Sequence, residues 1–101
     1  MYIMQGDAYS IPVHITNDGE LVTPETAETV EIAIGPLVKQ YPVGVSFLEG
    51  DWLFQLTQPE AFALSAAGAE CKIRVKFKNG DVIGVSLGKV SIAASRSKAV
   101  L

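Results

Sequence analysis

Cys71-Lys72-Ile73-Arg74-Val75-Lys76-Phe77-Lys78, followed by Asn79-Gly80-Asp81-Val82-Ile83-Gly84-Val85, decides the fold of this chain. Apolar and basic residues alternate without a break from Cys71 to Lys78, the period of a strand with one dry and one wet face. Asn-Gly then marks a tight reversal, so the segment reads as a β-hairpin. A two-residue Asn79-Gly80 loop would face Phe77 with Val82 and Val75 with Gly84. It would also set Ile83, Val85 and Leu87 on the face of Lys76, Arg74 and Lys72. A three-residue loop of Lys78, Asn79 and Gly80 instead pairs Val75 with Ile83, Ile73 with Val85 and Cys71 with Leu87. A one-residue slip moves every side chain to the opposite face, so burial selects the three-residue form. Gly80 is then left-handed in a G1 bulge. Past Leu87 the apolar phase flips to Val90 and Ile92, which places a bulge or bend at Gly88-Lys89.

Working outward, Tyr9, Ile11, Val13 and Ile15 alternate with Ser10, Pro12, His14 and Thr16. This is a half-buried strand, and Pro12, which cannot donate to a ladder, assigns it to an edge or a bulge. Asn17-Asp18-Gly19-Glu20 closes it with turn chemistry. Val30, Ile32 and Ile34 repeat the alternation before Gly35-Pro36. Leu37–Tyr41 and Val45–Leu48 are shorter strand candidates, and Glu49-Gly50-Asp51 turns into Trp52, Phe54 and Leu56. The period then changes. Thr57-Gln58-Pro59-Glu60 fits a capping box with proline near the first helical position. A short helix over residues 58–66, ended by Gly68, is predicted to cross between sheets. About seven short strands with turns roughly every ten residues predict an all-β protein, a β-sandwich with one helical crossover.

At 101 residues the chain forms one domain, residues 1–101, with a single core. Charged residues make up 19%, below the roughly one quarter usual in soluble domains, which suggests that a partner covers some apolar surface. A net charge of −3 argues against a nucleic-acid partner, which calls for a basic domain. No apolar run reaches the ~20 residues of a membrane helix. The opening Met1–Asp7 lacks the features of a signal peptide, so residence in the cytoplasm until assembly is expected. The lone Cys71 is expected to be a small core residue in a reducing compartment.

Candidate chemistry is sparse. Lys72, Arg74 and Lys76, with Lys78, form a basic stripe that suits an acidic partner surface. The same stripe is also what a solvated strand face looks like, neutralised by acids on the next strand. His14 is the only histidine, which excludes a histidine-rich metal site, and no nucleophile motif places it in a triad with Ser10. Asp7, Asp18, Glu49 and Asp51 stand singly beside glycines, as turns require. Trp52, with Tyr2, Tyr9 and Tyr41, could stack on sugar rings, but its alternating spacing favours the core. No glycine-rich phosphate loop and no Cys/His spacing for a metal is present, so no cofactor is expected. The terminal Ala99-Val100-Leu101 is apolar and is expected to dock at home or on a neighbour.

Gln5-Gly6-Asp7 through Ile11-Pro12-Val13 and Val30-Glu31-Ile32-Ala33-Ile34-Gly35 resemble a family of small bacteriophage and prophage tail-region proteins. So do Trp52-Leu53-Phe54-Gln55-Leu56-Thr57-Gln58 and Ile73–Phe77 with Gly80-Asp81-Val82-Ile83-Gly84. A looser similarity extends to the immunoglobulin-like amino-terminal module of phage baseplate upper proteins. The resemblance implies a non-enzymatic structural or assembly module of a tail or baseplate. Its partners would be other tail proteins or copies of itself as a homo-oligomer, with no membrane and no nucleic acid. It brings no site residues. From the residues, the interaction candidates are Lys72, Arg74, Lys76, Ala99, Val100 and Leu101. A carbohydrate-binding module in host attachment is the alternative reading.

Overall fold

Ten strands and one five-residue helix build two main sheets around a single apolar core. They are seen in a computed structural model that describes residues 2–101. The strands are β1 (Tyr2–Met4), β2 (Tyr9–Val13), β3 (Thr16–Asn17), β4 (Glu20–Leu21) and β5 (Ala27–Ile34). Then follow β6 (Leu37–Gln40), β7 (Val45–Leu48), β8 (Asp51–Leu56), α1 (Gln58–Phe62), β9 (Ala69–Phe77) and β10 (Val82–Ala93). The larger sheet has the order β1-β10-β9-β5-β6, the smaller β2-β8-β7, and β3 pairs with β4 alone. The all-β expectation holds. The strand number exceeds the expected seven, because β1 and the β3–β4 hairpin are very short pieces with little apolar signal.

The hairpin takes the three-residue loop. Val75 lies opposite Ile83 and Ile73 opposite Val85. The Phe77 N–H donates to the Asp81 carbonyl at 2.8 Å and the Gly80 N–H to the Phe77 carbonyl at 2.9 Å. Gly80 has φ +98°, the left-handed conformation a G1 bulge requires. One pairing differs from expectation. Cys71 lies opposite Gly88, not Leu87, because a bulge between Ser86 and Gly88 shifts the register there. Gly88, at φ +91°, carries the turn of backbone that carries the apolar phase from odd to even positions, so Val90 and Ile92 face the core.

Pro12 lies on β2, an edge strand of the smaller sheet, where its missing N–H costs no ladder bond. Ile11, Val13, Trp52, Phe54 and Leu56 from this sheet meet Val30, Ile32, Ile34, Cys71 and Ile73 from the larger one. Among the described residues no polar or charged side chain is buried.

The crossover begins with the expected capping box. The Thr57 hydroxyl accepts from the Glu60 N–H, and a Glu60 carboxylate oxygen accepts from the Thr57 N–H at 3.0 Å. The helix stops at Phe62 rather than near Ala66. The Leu64 N–H closes back on the Ala61 carbonyl, a tighter turn that drops Leu64 into the core. Chain passage from β8 to β9 through α1 therefore moves from one sheet to the other.

Candidate interaction surface

The β9–β10 hairpin presents two faces and one open edge, and their chemistry differs. On the outer face, Lys72, Arg74 and Lys76 alternate as expected, and each has an acid within reach. Arg74 meets Glu31 of β5 at 3.0 Å, Lys76 meets Glu28 at 3.6 Å, and Lys72 meets Glu70 of its own strand at 3.5 Å. The Gln40 side chain also donates to Glu31 at 2.8 Å. That hydrogen bond, with the Arg74 guanidinium, outweighs partial burial and holds the Glu31 carboxyl below its ordinary range. The stripe is thus a laced cross-strand network on a solvated face. Its exposed pairs contribute at most about 1 kcal/mol each, and the stripe offers an acidic partner little uncompensated charge.

The inner face divides between its two strands. Cys71, Ile73 and Val75 of β9 are buried, and burial raises the Cys71 thiol above its ordinary range. Ile83 and Val85 of β10, opposite Val75 and Ile73, are exposed, as is Leu87 in the bulge beside them. Ile83 is 45% exposed, Val85 51% and Leu87 48%, and Val82 on the opposite side is 60% exposed. The sequence expectation set Ile83, Val85 and Leu87 on the core side. They do lie on that side of the sheet, but the smaller sheet does not reach them. An open groove of about 290 Å³ takes its place, with Ile15, Val22, Val75, Phe77, Ile83 and Val85 among its lining.

The smaller sheet has three strands against the larger's five, and the cover ends over β9: Val75 and Ile73 are buried, while Ile83 and Val85 directly across from them are not. Sequence reasoning passed over Val82, Ile83, Val85 and Leu87 as interaction residues. A signal was available in Gly84, Ser86 and Gly88, which carry none of the charge that marks the wet face of β9.

The other candidates sit elsewhere. Ala99, Val100 and Leu101 pass α1, where the Leu101 N–H donates to the Gln58 side-chain oxygen at 2.9 Å. Lys98 reaches Gln5 at 3.0 Å. The tail is tied through polar groups while the Val100 and Leu101 side chains stay in solvent. The structure does not bring this tail together with the basic stripe as one site.

Trp52 is fully buried, its indole N–H donating to the Val22 carbonyl at 3.0 Å, with Tyr41 edge-on at 5.1 Å between ring centroids. A sugar has no access to its ring. His14 pairs with Asp51 at 3.2 Å on the surface, while Ser10 lies four positions up the chain, roughly 13 Å away along an extended strand. Among the described residues, no three of His, Cys, Asp or Glu gather in metal-binding geometry. Among the described residues no helix is long and apolar enough to cross a membrane. Compared with known proteins, the chain matches no family model, no curated protein and no solved structure.

Proposed function

We propose that this protein is a non-enzymatic structural module, an immunoglobulin-like sandwich that works through protein–protein contacts in the tail or baseplate of a phage or prophage. The observation that carries the contact reading is the exposure of Ile83, Val85 and Leu87 along one face of one strand, with Val82 exposed on the other face. Such grouping of large apolar residues on a small domain marks an interaction site. The low charged fraction of 19% agrees with surface reserved for a partner. The immunoglobulin-like assignment is supported by two sheets with a helical crossover between them. The tail assignment is supported by the resemblance of the Gly6-Asp7, Val30–Gly35, Trp52–Gln58 and hairpin segments.

Phage particles released from the host that carries this gene, purified by density gradient and analysed by mass spectrometry, test the tail assignment. The chain is expected among the stoichiometric particle components. Particles that lack it would overturn the assignment.

A further inference from the structure

The backbone of β10 is open along most of its length. Pairing with β1 begins only at Ser91, and from Val82 to Lys89 the strand has β9 on one side and no strand of the described residues on the other. Which groups are free follows from the ladder. Phe77 and Asp81 share a hydrogen bond, so in antiparallel alternation Ile83 and Val85 bond to β9. The N–H and C=O groups of Val82, Gly84 and Ser86 then point away from the sheet. An edge of this kind is normally blunted by lysine, proline or a short strand. Between Asp81 and Lys89 this one has neither charge nor proline. Only the bulge at Ser86–Gly88, near one end of the stretch, interrupts it.

We infer that this edge pairs antiparallel with the same edge of a second copy, about a two-fold axis at Val85, joining two five-stranded sheets into one. The inference rests on the protein-contact reading above and names its partner. The strand is complementary to its own reverse. Pairing about Val85 sets Gly84 against Ser86 and Ile83 against Leu87 of the second copy: small on small, large apolar on large apolar. Backbone parity permits this register, because Gly84 and Ser86 both direct their free groups outward and so form a hydrogen-bonded pair. The axis stands normal to the sheet, which keeps both inner faces on one side. Ile83 and Val85 of the two copies then form one apolar strip between the two grooves, and the isologous contact closes on itself. The basic stripes do not oppose it. With two strands between them, the two β9 strands lie roughly 14 Å apart, beyond the ~8 Å screening length at physiological salt, and each stripe is already laced with acids.

Size-exclusion chromatography with light scattering, on the full chain over a range of concentrations, tests the inference. Wild type is expected at twice the 10.8 kDa chain mass, and Val85→Lys at the single-chain mass. Val85 is half exposed, so the lysine is tolerated in the folded chain, which unchanged Trp52 emission checks. Val85→Cys supplies the register. Two cysteines at the axis of a non-hydrogen-bonded pair lie within bridging distance, so mild oxidation is expected to give a covalent dimer with the buried Cys71 silent. Ile83→Cys, facing Leu87 of the second copy, gives little. A wild-type monomer at all concentrations overturns the inference, as does a dimer unchanged by Val85→Lys. An open-ended polymer or cross-linking favoured by Ile83→Cys also overturns it. A monomer that is nonetheless a particle component removes edge pairing and leaves the tail role standing. A dimer absent from particles does the reverse.

Discussion

The two ends of β10 make a direct comparison. At Ser91–Ala93 the strand pairs with β1, and Val90 and Ile92 are buried in the core. At Val82–Lys89 it pairs with β9 alone, and every residue is exposed. Apolar residues recur at alternate positions at both ends, and the twist of backbone at Gly88 separates them. Burial here is set by the neighbours each end has: β1 flanks one end only, and only that end joins the core. Alternation names the face of a strand that can be buried; a second layer has to be present for burial to follow.

The largest expected effect sets Ile92 against Ile83. In the Val85→Lys background, where association does not contribute, Ile92→Ala should lose about 2–4 kcal/mol of stability as a core truncation. Ile83→Ala should lose less than about 1 kcal/mol. Urea denaturation followed by Trp52 emission measures both, and equal losses would break the comparison.

The junction comes next. A Cβ at Gly88 meets no atom within 4 Å, but the residue sits at φ +91°. Gly88→Ala should therefore cost about 1–2 kcal/mol from backbone conformation alone. Gly84→Ala is the control, because its backbone is not left-handed and its new Cβ meets the flexible Arg74 side chain at 3.3 Å. Gly88→Ala no more destabilising than Gly84→Ala would mean that the bulge is held by packing rather than by glycine.

The smallest effect is a pH dependence that belongs to the well-paired part of the molecule. Glu31 is held low by Gln40, against partial burial, with help from Arg74. Burial of Glu60 raises its carboxyl, but the hydrogen bonds from Lys39 and Thr57 outweigh it and the net direction is down. With folded values below the ordinary 4.5, the unfolded chain takes up protons first on acidification. The stabilisation is complete above about 4.5 and is lost as pH falls through the folded values. Denaturation midpoints measured down through this range should fall less steeply in Glu31→Gln/Glu60→Gln than in wild type. Parallel slopes would show that the acid sensitivity lies with other carboxylates.

Much of this was legible in residues whose local chemistry is decisive. Asn79-Gly80 with strict alternation set the hairpin register, Pro12 marked an edge, Thr57 and Glu60 marked the helix start, and Gly88 marked the bulge. What remained hidden depends on contacts distant in sequence. Tyr2-Ile3-Met4 is too short to announce a strand, and its parallel pairing with Ser91–Ala93 has no local signature. The exposure of Ile83 and Val85 was hidden for a related reason, since it depends on how far the other layer reaches sideways beyond β9. The helix ended early because Leu64 is pulled into the core, a demand of packing that its alanine-rich surroundings do not express.

The pairing of β1 with β10 also fixes an order of events during synthesis. Tyr2–Met4 leaves the ribosome long before Ser91–Ala93, so Ile3 travels without its seat until that segment has been made. The outer strand of the large sheet can therefore be completed only after Ser91–Ala93 has emerged. A nascent chain stalled before Ser91 should leave Tyr2–Met4 open to proteases that spare the folded protein.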